Sequence, residues 1–258
     1  MNIPPLEYGN PTQTDAAALR LQNYLDPLFE ELRPTPCPRN DSLLVREELN
    51  MLREYMSMTE GDQVIKQRYR KYDIGGMDYL RRVMVEAGAP EDDINRITWG
   101  IVNDTYPLLV KLKMHYQRPR PFQLARVYRL TLFPYNSARA NSPAYPSALT
   151  TQAALVTQVL THRYPELAES LDVYKRDYAL SRLYLGLHYP TDNDFAWVIA
   201  DRILEDKEFK QRYGLNEGPR TVHRPGGETP DDAIGQVEPA TGSGQVPPVL
   251  HGSDAAMQ

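Results

Sequence analysis

Apolar residues recur at helical spacing along most of the chain, and no stretch alternates apolar and polar positions for the length of a strand. Leu19, Leu21, Leu25, Leu28 and Phe29 fall near one helical face behind Asp15, which can cap that segment, while Pro27 kinks or splits it. RPTPCPR at 33–39 is a breaker. A second helix starts at Asp41 or Ser42 and carries Leu43, Leu44, Val45, Leu49, Leu52 and Tyr55 on one side. Residues 60–74 form a strongly charged helix that Gly75–Gly76 closes, and a shorter helix over 77–87 ends at Gly88. Pro90 followed by Glu91, Asp92 and Asp93 suits a helix start, because proline fits the first turn and acids favour the positive end of the dipole. That helix runs through Ile94, Ile97, Ile101 and Val102 to about His115, bent at Pro107, with Trp99 off the stripe against another neighbour.

RPRPF at 118–122 cannot be regular helix, so Arg118 and Arg120 sit on extended chain. Further helices start at Pro146–Ser147 and reach about Thr161, cover about 165–187, and run from about Asp192 to Leu204. The pattern predicts an all-α bundle. Residues 1–14 read as an irregular arm. From Gly214 onward the chain holds eight of its fifteen glycines and few large apolar residues, which predicts a flexible tail over 214–258.

Composition narrows the class. With 258 residues and 41% hydrophobic content the chain can bury a core. A net charge of −5 argues against nucleic acid as the main partner and makes the local cluster Lys111, Lys113, Arg118, Arg120, Arg126 and Arg129 stand out. The lone Cys37 excludes an intrachain disulfide. The first fifteen residues have neither a basic n-region nor an apolar h-region, and no run reaches the roughly eighteen apolar residues of a membrane span. These features predict a cytoplasmic protein without a membrane span.

Three stretches carry chemistry. In SRLYLGLHYPTD, Arg182 precedes His188 by six residues and Asp192 follows it by four. A histidine oriented by a carboxylate can serve as base or nucleophile, and an arginine can clamp an oxyanion. The ordinary alternative is a helix-end histidine flanked by surface ion pairs. In KLKMHYQRPRPF, a lysine precedes an Arg-Pro pair in two registers, Lys113 with Arg120–Pro121 or Lys111 with Arg118–Pro119. Such cations can converge on one anion or form a solvated face at a helix C-terminus. In YPSALT, Ser147 at a helix start offers a hydroxyl and free backbone N–H groups to an anion, or serves as a simple N-cap.

Together the three stretches resemble the signature of the type-2 phosphatidic acid phosphatase superfamily, which includes bacterial non-specific acid phosphatases and vanadium haloperoxidases. Its pattern is Lys-x6-Arg-Pro, then Pro-Ser-Gly-His, then Ser-Arg-x5-His-x3-Asp. The third part is met by Ser181, Arg182, His188 and Asp192, and the first by Lys113, Arg120 and Pro121. Phe122 resembles the acid phosphatase form and favours this register. The middle part departs from the pattern, because Ala148 and Leu149 stand where the family has glycine and histidine. The resemblance covers roughly 90–205. It says nothing specific about the rest, and the chain reads as an N-terminal helical region packed on the core (1–89), a phosphatase-like core (90–213) and the tail (214–258). The acidic N-terminal third is a candidate cap or homo-oligomer interface.

The resemblance implies a metal-independent and cofactor-free phosphatase or phosphotransferase acting on a phosphorylated small molecule. His188 would attack phosphorus, Asp192 would fix its tautomer, and Lys113, Arg120, Arg182 and Ser147 would hold the equatorial oxygens. The missing histidine protonates the leaving group in the family, an effect typically worth about 10² to 10⁴ in rate. Leucine cannot donate a proton. The expectation is therefore an enzyme selective for leaving groups stable as anions, such as phosphoanhydrides and nucleotides. The alternatives are a degenerate phosphate-binding or structural relative and a vanadate-dependent haloperoxidase. His115, Tyr145 and Tyr189 lie near motif positions and are the candidates for a relocated acid.

Overall fold

The computed structural model describes residues 12–215, so residues 1–11 of the arm expected over 1–14 and residues 216–258 of the tail expected over 214–258 lie outside the described residues, while Gln13 and Thr14 belong to a helix rather than to an irregular arm. Among the described residues the fold is entirely helical. The helices are α1 (Gln13–Ala18), α2 (Asp26–Leu32), α3 (Leu43–Gly61), α4 (Gln63–Glu86), α5 (Glu91–Tyr116), α6 (Pro121–Val127), α7 (Ala148–Arg163), α8 (Ala168–Tyr184), α9 (Pro190–Glu205) and α10 (Lys207–Tyr213), with short 3-10 turns at Ala138–Ala140 and Pro165–Leu167. None of them is long and apolar enough to cross a membrane.

The first segment is split rather than kinked, and Pro27 falls in the opening turn of α2, where its missing N–H costs nothing. Thr12, not Asp15, caps α1, and Asp15 closes a capping box from three residues further on. Gly75 leaves helical geometry without ending α4, so the two expected helices are one element with a kink. Pro107 is accommodated inside α5, and Trp99 is exposed rather than packed against a second neighbour. The sequence reading did not anticipate α6 or α10.

Helix α7 is the centre of the bundle. It packs on α5, α8 and α9, and nearly every residue from Thr150 to Leu160 is buried. A helix enclosed on all sides cannot show an amphipathic stripe, so α7 was legible from its start signal and apolar content alone. Helices α3 and α4 pack on α8, while α1 and α2 pack on α5. The N-terminal helices thus share one apolar core with the later ones, through residues such as Leu49, Leu52, Leu80, Ile101, Leu155 and Ile199.

Two turns aim the chemistry. Gln117 takes a left-handed conformation (φ 51°) at the end of α5, with its N–H on the Lys113 carbonyl, and turns the chain into Arg118–Arg120. Gly186 (φ 66°) turns the chain from α8 toward His188, and a Cβ there would meet the Met56 sulfur at 2.5 Å. Glycine is required there on both counts.

Candidate active site

Lys113 from α5, Arg120 from the approach to α6, Arg182 from α8 and His188 from the α8–α9 turn all line one cavity of about 320 Å³. This selects the register that pairs Lys113 with Arg120. Lys111 instead binds the Asp26 carboxylate at 2.6 Å and the Leu21 carbonyl at 2.9 Å.

His188 is held from both ring nitrogens. Nδ1 lies 2.9 Å from Asp192 Oδ2, and Nε2 lies 2.8 Å from Arg120 Nη1. A guanidinium can only donate, so Nε2 must accept and the proton resides on Nδ1, bonded to Asp192. Burial, reinforced by the positive charge of Arg120, pushes the imidazole well below its ordinary pKa despite the pull of Asp192. The resting histidine is therefore neutral, with an unprotonated Nε2.

Asp192 occupies the first turn of α9, where a carboxylate is favoured, and also accepts the Tyr189 N–H at 3.0 Å. Its other oxygen takes Arg118 Nη1 at 2.6 Å. Burial alone would raise Asp192, but the Arg118 charge and the His188 hydrogen bond outweigh it and bring the carboxyl down to about 2. Arg118 is itself almost fully buried. It stacks 3.9 Å over the Tyr189 ring and bonds Glu48 at 2.9 Å through Nη2. Glu48 closes the chain by accepting the Thr191 N–H and hydroxyl, both at 2.7 Å. Burial raises the Glu48 carboxyl against the opposing charge of Arg118. Arg118 is thus no phosphate ligand but the residue that positions Asp192.

The remaining cations are poised differently. Arg120 is pinned by the Ser142 carbonyl (2.7 Å from Nε) and the Leu187 carbonyl (2.8 Å from Nη1). Lys113 donates to the Pro143 carbonyl at 2.7 Å, and burial together with the Arg120 charge drives its amine well below the ordinary lysine range. An arriving anion would reverse that shift. Arg182 donates Nη1 to Asp73 at 2.8 Å, while its buried Nε has no hydrogen-bond partner. Asp73 in turn accepts the Ser137 hydroxyl at 2.8 Å.

Two of the expected site residues do not face the cavity. Asp192 lies behind His188, as its orienting role requires. Ser147 is fully buried, and its N–H is used by the Asp192 carbonyl at 3.1 Å. Its hydroxyl lies 2.8 Å from Thr150 Oγ1, which donates its own proton to Asn193 Oδ1, so Ser147 must donate to Thr150. Ser147 thus does not line the cavity, and it does not cap α7 through its side chain. The next two residues, Ala148 and Leu149, line the cavity instead. Standing at the start of α7, their backbone N–H groups have no helical carbonyl to bond.

None of the three candidates for a relocated acid lines the cavity. His115 is exposed on the outer side of α5 against Phe29 and Tyr116, Tyr145 stacks on Phe195, and Tyr189 lies beneath Arg118. The tyrosine that does line it is Tyr106, whose hydroxyl donates to Asp15 Oδ1 at 2.6 Å. Neither Tyr106 nor Asp15 carried a motif signal, because the pair forms across 91 residues. Among the described residues no three His, Cys, Asp or Glu side chains gather as a metal site.

No model of a known protein family matches the chain, and no curated protein sequence matches it.

Proposed function

We propose that this protein is a phosphatase or phosphotransferase that works through a phosphohistidine at His188 and resembles the type-2 phosphatidic acid phosphatases in mechanism. The observation that carries the reading is the convergence of Lys113, Arg120, Arg182 and a neutral His188 on one cavity. The free amides at the start of α7 add donors suited to an anion there.

The chemistry follows from the tautomer. On binding, a phosphate oxygen takes over the Arg120 N–H that rests on Nε2, which frees that lone pair. Nε2 attacks phosphorus, the bond to the leaving group breaks, and the leaving group departs with the electron pair. The ring becomes positively charged and is stabilised by Asp192. Water then attacks phosphorus, the P–N bond breaks, and neutral His188 returns. Lys113, Arg120 and Arg182 offset the spread negative charge of both transition states. Leu149 offers no proton, so leaving groups that are stable as anions are the substrates.

A single-turnover reaction with labelled phosphate should trap acid-labile label on His188, and vanadate should inhibit. Undiminished phosphate release by His188→Ala would overturn the reading. A second reading, a phosphate binder without turnover, is favoured by the Arg120 hydrogen bond that caps Nε2. It requires phosphate to raise the melting temperature while no label is ever trapped.

A further inference from the structure

The cavity is polarised along α5. Its lining residues on that helix include Val102, Tyr106, Leu109, Val110 and Lys113, which share one face. Tyr106 lies two turns from Lys113, about 10 Å along the axis at 1.5 Å per residue. The cations and His188 occupy the Lys113 end. Between the ends lie Leu109 and Val110, with Ala148 and Leu149 contributed by α7. At the level of Tyr106 the wall is a carboxylate, Asp15 of α1.

Leu149 therefore does more than remove an acid. With Leu109, Val110 and Ala148 it gives the leaving-group section an apolar wall, in a lining that also includes Asn141, Ser142 and Gln152. The leaving group of a phosphoanhydride is itself a phosphate anion, which such a wall desolvates without compensation. Asp15 repels it further. Burial would raise the Asp15 carboxyl, but hydrogen bonds from Tyr106 and Thr12 outweigh it and keep the group ionised. Arg139 also lines the cavity, but it is exposed to water, where its charge is screened.

An aromatic ring satisfies the same constraints. It fills an apolar section, and a phenol ionises near pH 10, so it leaves as an anion far more readily than an alkanol. Asp15 adds a second requirement. Its Oδ2 accepts the Thr12 N–H at 3.1 Å and the Thr12 hydroxyl at 2.7 Å, whereas Oδ1 accepts only the Tyr106 hydroxyl and keeps a lone pair.

We infer that the cavity selects aryl phosphate monoesters whose ring bears a cationic tail, with Leu149 packing on the ring and Asp15 accepting from the tail. This rests on the phosphoryl-transfer reading above and narrows its substrate class. A para-substituted phenyl ring with a two-carbon ammonium tail, as in tyramine phosphate, has a length comparable to the two-turn span.

The test compares kcat/KM of the full chain on tyramine phosphate, phenyl phosphate and inorganic diphosphate. The expected order places tyramine phosphate about tenfold above phenyl phosphate, the yield of one charged hydrogen bond, with diphosphate last. Asp15→Asn should bring the tyramine-to-phenyl ratio to about one. That ratio is taken within one preparation, so partial unfolding of the variant cannot alter it. Preference for diphosphate, or an unchanged ratio in Asp15→Asn, would overturn the inference while leaving phosphoryl transfer intact. Absence of both phosphate release and trapped label with every compound would remove phosphoryl transfer and the inference together.

Discussion

The two sides of the cavity are built on opposite principles. Behind His188, buried ionisable groups are joined end to end: His188 to Asp192, Asp192 to Arg118, Arg118 to Glu48, Glu48 to the Thr191 backbone. Each acidic oxygen in that chain has a donor, so the desolvation of four ionisable groups is offset by geometry. Beyond His188, where a leaving group would lie, the wall is Leu109, Val110, Ala148 and Leu149. The first side fixes one protonation state of one ring. Among the α5 residues that line the second side, none between Lys113 and Tyr106 is charged, while Asn141, Ser142 and Gln152 add neutral polar groups to the lining. On the proposed reading, such a site holds the groups that form a covalent intermediate and lacks one that protonates a basic leaving group.

The comparison can be broken most directly at the nucleophile. His188→Ala should lower phosphate release by more than about 10³-fold, measured with an aryl phosphate, because the proposed P–N bond can no longer form. Removing the buried cation comes next. Arg118→Ala strands Asp192 and Glu48 without a partner and should cost about 3–5 kcal/mol, seen as a fall of about 10 °C in melting temperature. An unchanged melt would show that the charge chain is dispensable.

The leaving-group side responds in the opposite sense. Leu149→His should raise turnover of alkyl phosphates about 10²-fold and leave 4-nitrophenyl phosphate nearly unchanged, since only a basic leaving group needs a proton. Equal gains on both substrates would contradict the missing-acid account.

The smallest effect is on stability against pH. His188 has a folded pKa well below its unfolded value, so its contribution is complete above about pH 6.5 and is lost as the pH falls below that. The loss approaches about 1.4 kcal/mol per pH unit. Asp192, brought down to about 2, adds a further loss from about pH 4 toward pH 2. Urea unfolding between pH 8 and pH 4 should show the decline, and His188→Asn should flatten its upper part.

Much of the nucleophile side was legible in the sequence because it is local. Four residues from His188 to Asp192 span one helix entry, and Arg182 lies on the preceding helix. Their spacing alone brings them together. The same logic failed for Ser147, whose position at a helix start was read correctly while its hydroxyl and N–H turned inward to Thr150 and Asp192. It failed again for His115, Tyr145 and Tyr189, because proximity in sequence says nothing of which helix face meets the cavity. Trp99, off the apolar stripe of α5, is exposed, because an apolar side chain by itself does not bring a neighbour.

By itself the sequence determined the helical class, the starts of several helices, and the local grouping of Arg182, His188 and Asp192, while leaving the register of basic residues open between Lys113 with Arg120 and Lys111 with Arg118. All of these depend on periodicity, capping chemistry or short spacings. Only the tertiary structure decided which register of basic residues enters the cavity, that Arg118 positions Asp192, that Asp73 holds Arg182, and that Asp15 ends the leaving-group wall. Those contacts join residues separated by 74, 109 and 91 positions. No local rule relates such residues. They meet because α1, α3 and α4 pack on α5 and α8, and that packing is set by the whole apolar core rather than by any motif.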